Sequence, residues 1–259
     1  LTVSMALRGY AAGHLPLGNG YETMIFVAWC LSLLALGIGR RFPIAAASGL
    51  LMSGFALLVA SLGMANPQIT PLVPVLRSPW LSLHVSLIMV SYALLGLLML
   101  NGTAALALAA AARAGTAERT SRTLARLRLF GRLLLYPAVF LLTAGIFTGA
   151  VWANASWGRY WGWDPKEVWA LITLIVYALP LHEQSLARFR RPLFFHAYTL
   201  WAFAAVLMTY FGVNYLLGGM HSYGGGFRPG YAAATVFAAV TAFALLTVAA
   251  LIRQRRTDT

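Results

Sequence analysis

Charge is scarce in this chain. Only 10% of its 259 residues are charged and 60% are hydrophobic, where a soluble domain of this length would carry about 25% charge. Mean hydropathy is +0.76, and the apolar residues fall in repeated long runs. That pattern places the chain in a bilayer before any motif is read. Lysine is nearly absent as well: a single lysine stands beside 18 arginines and six acidic residues. The resulting charge of +13 would suit nucleic acid if the arginines lined one continuous face with stacking or base-reading groups. Instead most sit in short segments between apolar runs, as orienting charges do in multi-span membrane proteins. Cysteine is the third shortage. One residue, Cys30, excludes a disulfide within the chain and a cysteine zinc cluster. With no CxxCH present, the chain does not itself carry c-type haem. Cys30 reads as a small buried apolar residue.

Seven apolar runs are long enough to be read as spans, roughly 22–39, 44–64, 82–111, 132–152, 166–182, 193–217 and 231–252. About 20 helical residues cross the hydrocarbon, so the fifth run is short and the third has length to tilt or project. The stretch TAALALAAAARAG favours helix and finishes the third span. The expectation is an all-α polytopic bundle, a single membrane domain over 1–259. The sequence does not open on methionine, and LTVSMAL reads as the tail of an apolar segment. A further, truncated span ahead of the seven fits that opening, and no complete signal peptide is legible.

Arginine sets the expected sidedness. Fourteen of the 19 basic residues fall on one side, in the connections holding Arg40 and Arg41, Arg113 through Arg132, and Arg188, Arg190 and Arg191, and in the tail with Arg253, Arg255 and Arg256. Arg8, Arg77, Arg159, Lys166 and Arg228 fall on the other. The positive-inside rule assigns the richer side to the cytoplasm. The segments GHLPLGNGYE, NPQITPLVPVLRSPW and GGMHSYGGGFRPG then face outward, together with a tryptophan-rich segment over 152–169.

That segment holds the densest aromatic and polar cluster of the chain, WGRYWGWDPKEVWALI at 157–172. Part of it is a helix start: Asp164 suits the N-cap, Pro165 the first helical position and Glu167 the third, completing a capping box. Trp152 and Trp169 suit an interfacial belt. Trp157, Trp161 and Trp163, interleaved with Gly158, Arg159, Gly162 and Asp164, are less well explained in that way. They suit a large flat apolar ligand whose edges take polar partners.

All five histidines, His14, His84, His182, His196 and His221, lie near span ends or in connections. His84 and His221 border the aromatic side, and two neutral imidazoles on opposite faces of a tetrapyrrole are ordinary axial ligands of haem iron. A lone interfacial histidine is more often a hydrogen-bonding residue. His182 and His196 lie on the opposite side, 14 residues apart, with EQSLARFRRP between them reading as a turn. That turn weakens an electron-transfer cytochrome reading, which needs ligands stacked within the bilayer.

WGRYWGWDPKEVWALI resembles the tryptophan-rich signature of haem-handling proteins of cytochrome c maturation. RGYAAGHLPLGNGYE, SLHVSLIMVSYALL and TYFGVNYLLGGMHSYG narrow the resemblance to the CcsA/ResC type, over about Arg8 to Tyr223. The resemblance implies outward His84 and His221 as axial ligands of a haem b held against Trp157, Trp161, Trp163 and Asp164. It implies His182 as an inward haem ligand whose mate lies in a CcsB/ResB-type membrane partner. It assigns no ligand role to His196. It further implies a bacterial inner-membrane protein with its tryptophans on the periplasmic face, apocytochrome c with CxxCH as substrate, and thiol-reducing proteins in the pathway. The implied activity is holocytochrome c synthesis on haem exported from the cytoplasmic side, by positioning haem rather than by acid–base residues. Arg8, Arg77, Arg159 and Arg228 are the outward candidates for meeting haem propionates. A transporter of another apolar or quinone-like substrate also explains the spans and an aromatic vestibule, but not the paired outer histidines. A purely structural membrane subunit is the other alternative.

Overall fold

In the computed structural model the described residues are 1–61, 67–69, 77–217 and 230–258, and all regular structure among them is helical. The helices are α1 (Thr2–Ala12), α2 (Gly20–Ile38), α3 (Pro43–Ser61), α4 (Pro79–Ala110), α5 (Ala117–Trp157), α6 (Pro165–Ala178), α7 (Pro192–Leu207), α8 (Val213–Leu216) and α9 (Gly230–Asp258). Each of the seven apolar runs maps onto one or more of them. Among the described residues, five stretches are long and apolar enough to cross a membrane: Gly20–Ile38, Pro79–Ala111, Ala117–Trp157, Pro192–Gly212 and Val236–Gln254. The protein is a multi-pass helical membrane protein. α3 is as long as α2 and apolar, and α6, with 14 residues, is apolar but shorter.

One boundary differs from the expectation. The fourth apolar run begins at 132, yet α5 begins at Ala117 and takes in most of the arginine-rich connection. Arg, Leu and Ala all favour helix, and Glu118 pairs with Arg122 one turn on. The arginines of that connection therefore decorate a helix rather than a loop.

The chain divides into two compact units, Leu1–Leu97 with Pro137–Trp163, and Leu98–Tyr136 with Asp164–Thr259. In the first unit α2 and α3 form a close hairpin. Ser53 Oγ donates to Ala28 O at 2.8 Å and lies 2.9 Å from Ser32 Oγ. A Cβ on Gly49 would already touch Ala35 at 3.4 Å. The same unit packs α4 against α5, with Ser91 Oγ donating to Ala138 O at 2.8 Å. Hydroxyls that donate to nearby carbonyls are cheap polar links in apolar surroundings. α1 is tied to α2 by Arg8, whose Nε donates to buried Glu22 at 2.7 Å. Glu22 also accepts from Gly18 N at 2.7 Å, and Asn19 caps α2 by accepting from Glu22 N.

In the second unit Leu106, Ala109, Leu193, Leu200 and Ala250 form a buried core. α4 comes close to α7 at Gly102, where a Cβ would stand 2.7 Å from His196 O. α6 is pinned to the end of the α7 region by polar rungs: Lys166 Nζ donates to Asn214 at 3.0 Å, and Thr173 and Thr209 hydroxyls meet at 2.9 Å. Between α7 and α8 the helix widens into a single π turn, Met208–Gly212.

Candidate functional site

The aromatic segment begins where α5 ends. Gly158 takes a left-handed φ of 72° and its N–H closes onto Asn154 O at 2.9 Å. This is the ordinary glycine stop of a helix, because only glycine adopts that φ without cost. Five residues later Trp163 also takes a positive φ, 56°, with a large side chain. That conformation costs a non-glycine residue about 1–2 kcal/mol, and such strain tends to mark working sites. The Trp163 indole is 71% exposed and meets Trp161 edge-on at 5.9 Å. Trp157 is half-buried and packs edge-on against Trp152 at 4.8 Å. Trp152 is 2% exposed, so it belongs to the protein interior and not to the interfacial belt expected for it. A Cβ on Gly162 would meet the Arg159 guanidinium at 2.9–3.0 Å. The glycine thus lets that cation fold back over the loop backbone at Gly162.

Asp164 then opens α6 as expected. Its side chain accepts from Lys166 N at 3.0 Å, Glu167 closes the capping box by accepting from Asp164 N at 3.1 Å, and Pro165 is the first helical residue.

His84 lies on α4, against a groove in α5. Its Nδ1 is 2.6 Å from Gly145 O. A carbonyl only accepts, so Nδ1 carries the proton and the lone pair of the neutral ring is on Nε2. The ring lies over Gly149, where a Cβ would stand 2.6 Å from Nδ1, and Ile88 fills the space over Gly145 in the same way. Gly145 and Gly149 are a small-xxx-small pair, the spacing that lets two membrane helices approach closely. Sequence reading passed over this pair, GIFTG, although its spacing was visible. Trp152 follows Gly149 by three residues on the same stripe, and Trp157 by eight, about 12 Å along the helix axis. The first unit therefore gathers His84, Trp152, Trp157, Trp161 and Trp163 at one end of α5. His221 lies outside the described residues.

His182 closes a 3₁₀ turn, Leu179–His182, after α6. It is exposed, and its Nδ1 donates to Ala178 O at 2.9 Å, again leaving the lone pair on Nε2. The connection to Pro192 is a turn, as read from the sequence. His196 has no exposed surface; its Nε2 is 3.3 Å from Leu124 O, and its Nδ1 has no partner among the described residues. His14 sits in the α1–α2 connection with Nδ1 2.7 Å from Leu15 O. Of the arginines expected to face outward, Arg8 is committed to Glu22 and to Pro67 O. Arg77 precedes α4, Arg159 lies in the aromatic loop, and Arg228 is outside the described residues.

The cytochrome c assembly protein family matches residues 17–221, most of the chain and all of this site region. The chain belongs to that family. CcsA of Synechococcus sp. WH7803, a cytochrome c biogenesis protein, is 37% identical over 263 residues, covering 86% of this chain and 81% of the relative. CcsA of Chlamydomonas reinhardtii is 36% identical over 235 residues, 86% of this chain and 65% of the relative. Protein NrfI of Wolinella succinogenes is 42% identical over 225 residues, 87% of this chain, and this chain spans 25% of its length. The resemblance of the four motifs thus extends to similarity over 86% of the chain with relatives named CcsA.

Proposed function

We propose that this cytochrome c assembly protein binds haem at an outward site bordered by His84, His221 and the tryptophan segment, and presents it for thioether attachment to CxxCH apocytochrome c. The observation that carries the reading is the pinned His84 ring. Its Nδ1 is anchored to Gly145 O, which leaves Nε2 as the ligating nitrogen at the end of α5 where the tryptophans cluster. Anchoring one ring nitrogen on a carbonyl is how metal-ligating histidines are commonly oriented. The strained and exposed Trp163 beside Trp161 supplies flat apolar surface of the kind a tetrapyrrole covers. The outward candidates for the propionates are Arg8, which also pairs with Glu22, Arg77, Arg159 and Arg228.

The chemistry at that site needs position more than proton transfer. Each cysteine thiol of the apocytochrome adds across a haem vinyl group, its sulfur bonding one carbon and its proton going to the other, with no net redox change. The protein contributes by holding the reacting groups together, which lowers the entropic part of the barrier. The CxxCH histidine of the substrate then displaces one of the two axial histidines. On the inward side, exposed His182 is a haem ligand completed by a histidine of a CcsB/ResB-type partner. The burial of His196 supports a mate from outside this chain. The arginine distribution supports an inner-membrane orientation with the aromatic loop on the periplasmic face.

The test is His84→Gly in the chain co-purified with its partner from haem-replete cells. Loss of the outer bis-histidine spectrum and of holocytochrome c, with partial recovery on adding imidazole, is expected. A wild-type spectrum in both His84→Gly and His221→Gly would overturn the ligand assignment, and absence of haem from the wild-type complex would favour a transporter of another apolar substrate. Sidedness is checked in a Cys30→Ala background with a membrane-impermeant thiol reagent. Ser156→Cys should label from outside and Thr120→Cys should not; the reverse would invert the topology.

A further inference from the structure

The turn that carries His182 is held by more arginine than a connection between two helices requires. Glu183, the next residue, receives two of them: Arg128 Nη2 donates to one carboxylate oxygen, and Arg132 Nη1 reaches the other at 2.8 Å. Arg128 also donates from Nε to Phe189 O at 3.0 Å. Arg190 donates from Nε to Glu183 O at 3.0 Å and from Nη2 to Gln184 O at 3.1 Å. His182 O in turn accepts from Ser185 N at 3.0 Å and Leu186 N at 2.8 Å. The backbone on the C-terminal side of His182 is therefore fixed by side chains from α5 and from the far end of the turn. On the N-terminal side the ring is tied to Ala178 O.

Ion pairs with solvent access add little stability, so stability alone is a weak reason for this arrangement. Its geometric effect is on the turn: it fixes the backbone beside the exposed imidazole, whose ring is held through Nδ1 on Ala178 O. Arginine suits the task where lysine does not. Its planar fork meets a carboxylate oxygen and, for Arg128, a backbone carbonyl at the same time. We propose that Glu183, gripped by Arg128 and Arg132, is the positioning unit that holds His182 for haem iron on the inward side. The proposal rests on the ligand role given to His182 above. Glu183 touches neither iron nor substrate in this scheme; it acts through the histidine beside it, as the outer partners of metal ligands do.

The test uses the chain co-purified with its partner in a His84→Ala background, so that the remaining haem reports the inward site. Glu183→Ala is expected to lower that haem about tenfold and to move what remains from a low-spin toward a high-spin spectrum. Added imidazole should restore the low-spin form, since it replaces a misplaced ligand but does not repair a misfolded chain. Arg128→Lys should shift the spectrum in the same direction by less. With His84 intact, protein level should stay at wild type in Glu183→Ala. Inward haem that survives His182→Ala would overturn the ligand role itself. If His182→Ala abolishes the haem while Glu183→Ala keeps wild-type loading and spectrum, the positioning role alone is overturned. It is equally overturned if Glu183→Ala lowers protein level and imidazole restores nothing.

Discussion

His84 and His182 use the same anchor in two different ways. Each ring gives Nδ1 to a backbone carbonyl and so keeps its lone pair on Nε2. His182 finds that carbonyl four residues back, at Ala178. His84 finds it 61 residues away, on another helix. The orientation of His84 is thus a product of helix packing, set by the depth of the Gly145–Gly149 groove. The orientation of His182 is local, and its stiffness comes from arginines that arrive on Glu183 and the following turn. One histidine is placed by what has been removed, two side chains' worth of space, and the other by what has been added.

The sharpest way to break that contrast is Gly149→Ala. Its new methyl group would stand 2.6 Å from the His84 ring, so either the ring or the helix must move, at about 1–3 kcal/mol. Outer-site haem and holocytochrome yield should fall by about tenfold or more, since outer partners of a metal ligand carry effects of that size. Inward haem should be unchanged. Gly37→Ala is the control, because a Cβ there meets nothing within 4 Å. Equal loss of haem in the two variants would remove the groove from the account.

A middling effect is expected at Trp163. Trp163→Gly removes the exposed indole and also relieves the positive φ. Outer haem retention should fall several-fold, while thermal stability should hold or rise by about 1 kcal/mol. Falling stability together with unchanged haem would mean that the residue serves packing.

The smallest effect separates capping from ligand contact at Asp164. Asparagine caps about as well as aspartate and alanine does not. Asp164→Asn should keep wild-type stability, and Asp164→Ala should lose about 1 kcal/mol. Haem loading that tracks stability through both changes makes Asp164 a cap. Loading that drops in Asp164→Asn at full stability makes it a contact.

Much of the helical pattern was readable from residue periodicity and punctuation. The seven apolar runs, the capping box of Asp164 and Glu167 and the turn before Pro192 all rest on local chemistry, which a linear sequence records. The reach of α5 back to Ala117 was harder, because arginine counts equally as a topology marker and as a helix former. What stayed illegible is non-local. Nothing near His84 in the sequence points to Gly145, and nothing near Glu183 points to Arg128, 55 residues earlier. Trp152 was misread for a related reason: its burial comes from tertiary packing, in which the Trp157 ring 4.8 Å away is one contact. The positive φ of Trp163 was likewise unreadable, since the residue type argues against it.

The wide turn Met208–Gly212 has a consequence of angular phase. Thr209 and Asn214 are five residues apart, and in a regular α-helix they would point about 140° away from each other. Both nevertheless face α6, one on Thr173 and the other on Lys166. The extra residue held in the π turn supplies the missing rotation. Chain length here works as a vernier: deleting one residue between Met208 and Gly212 would turn everything that follows by about 100°. Asn214 would swing off Lys166, and the chain running on toward His221 would set out from a different side of the helix.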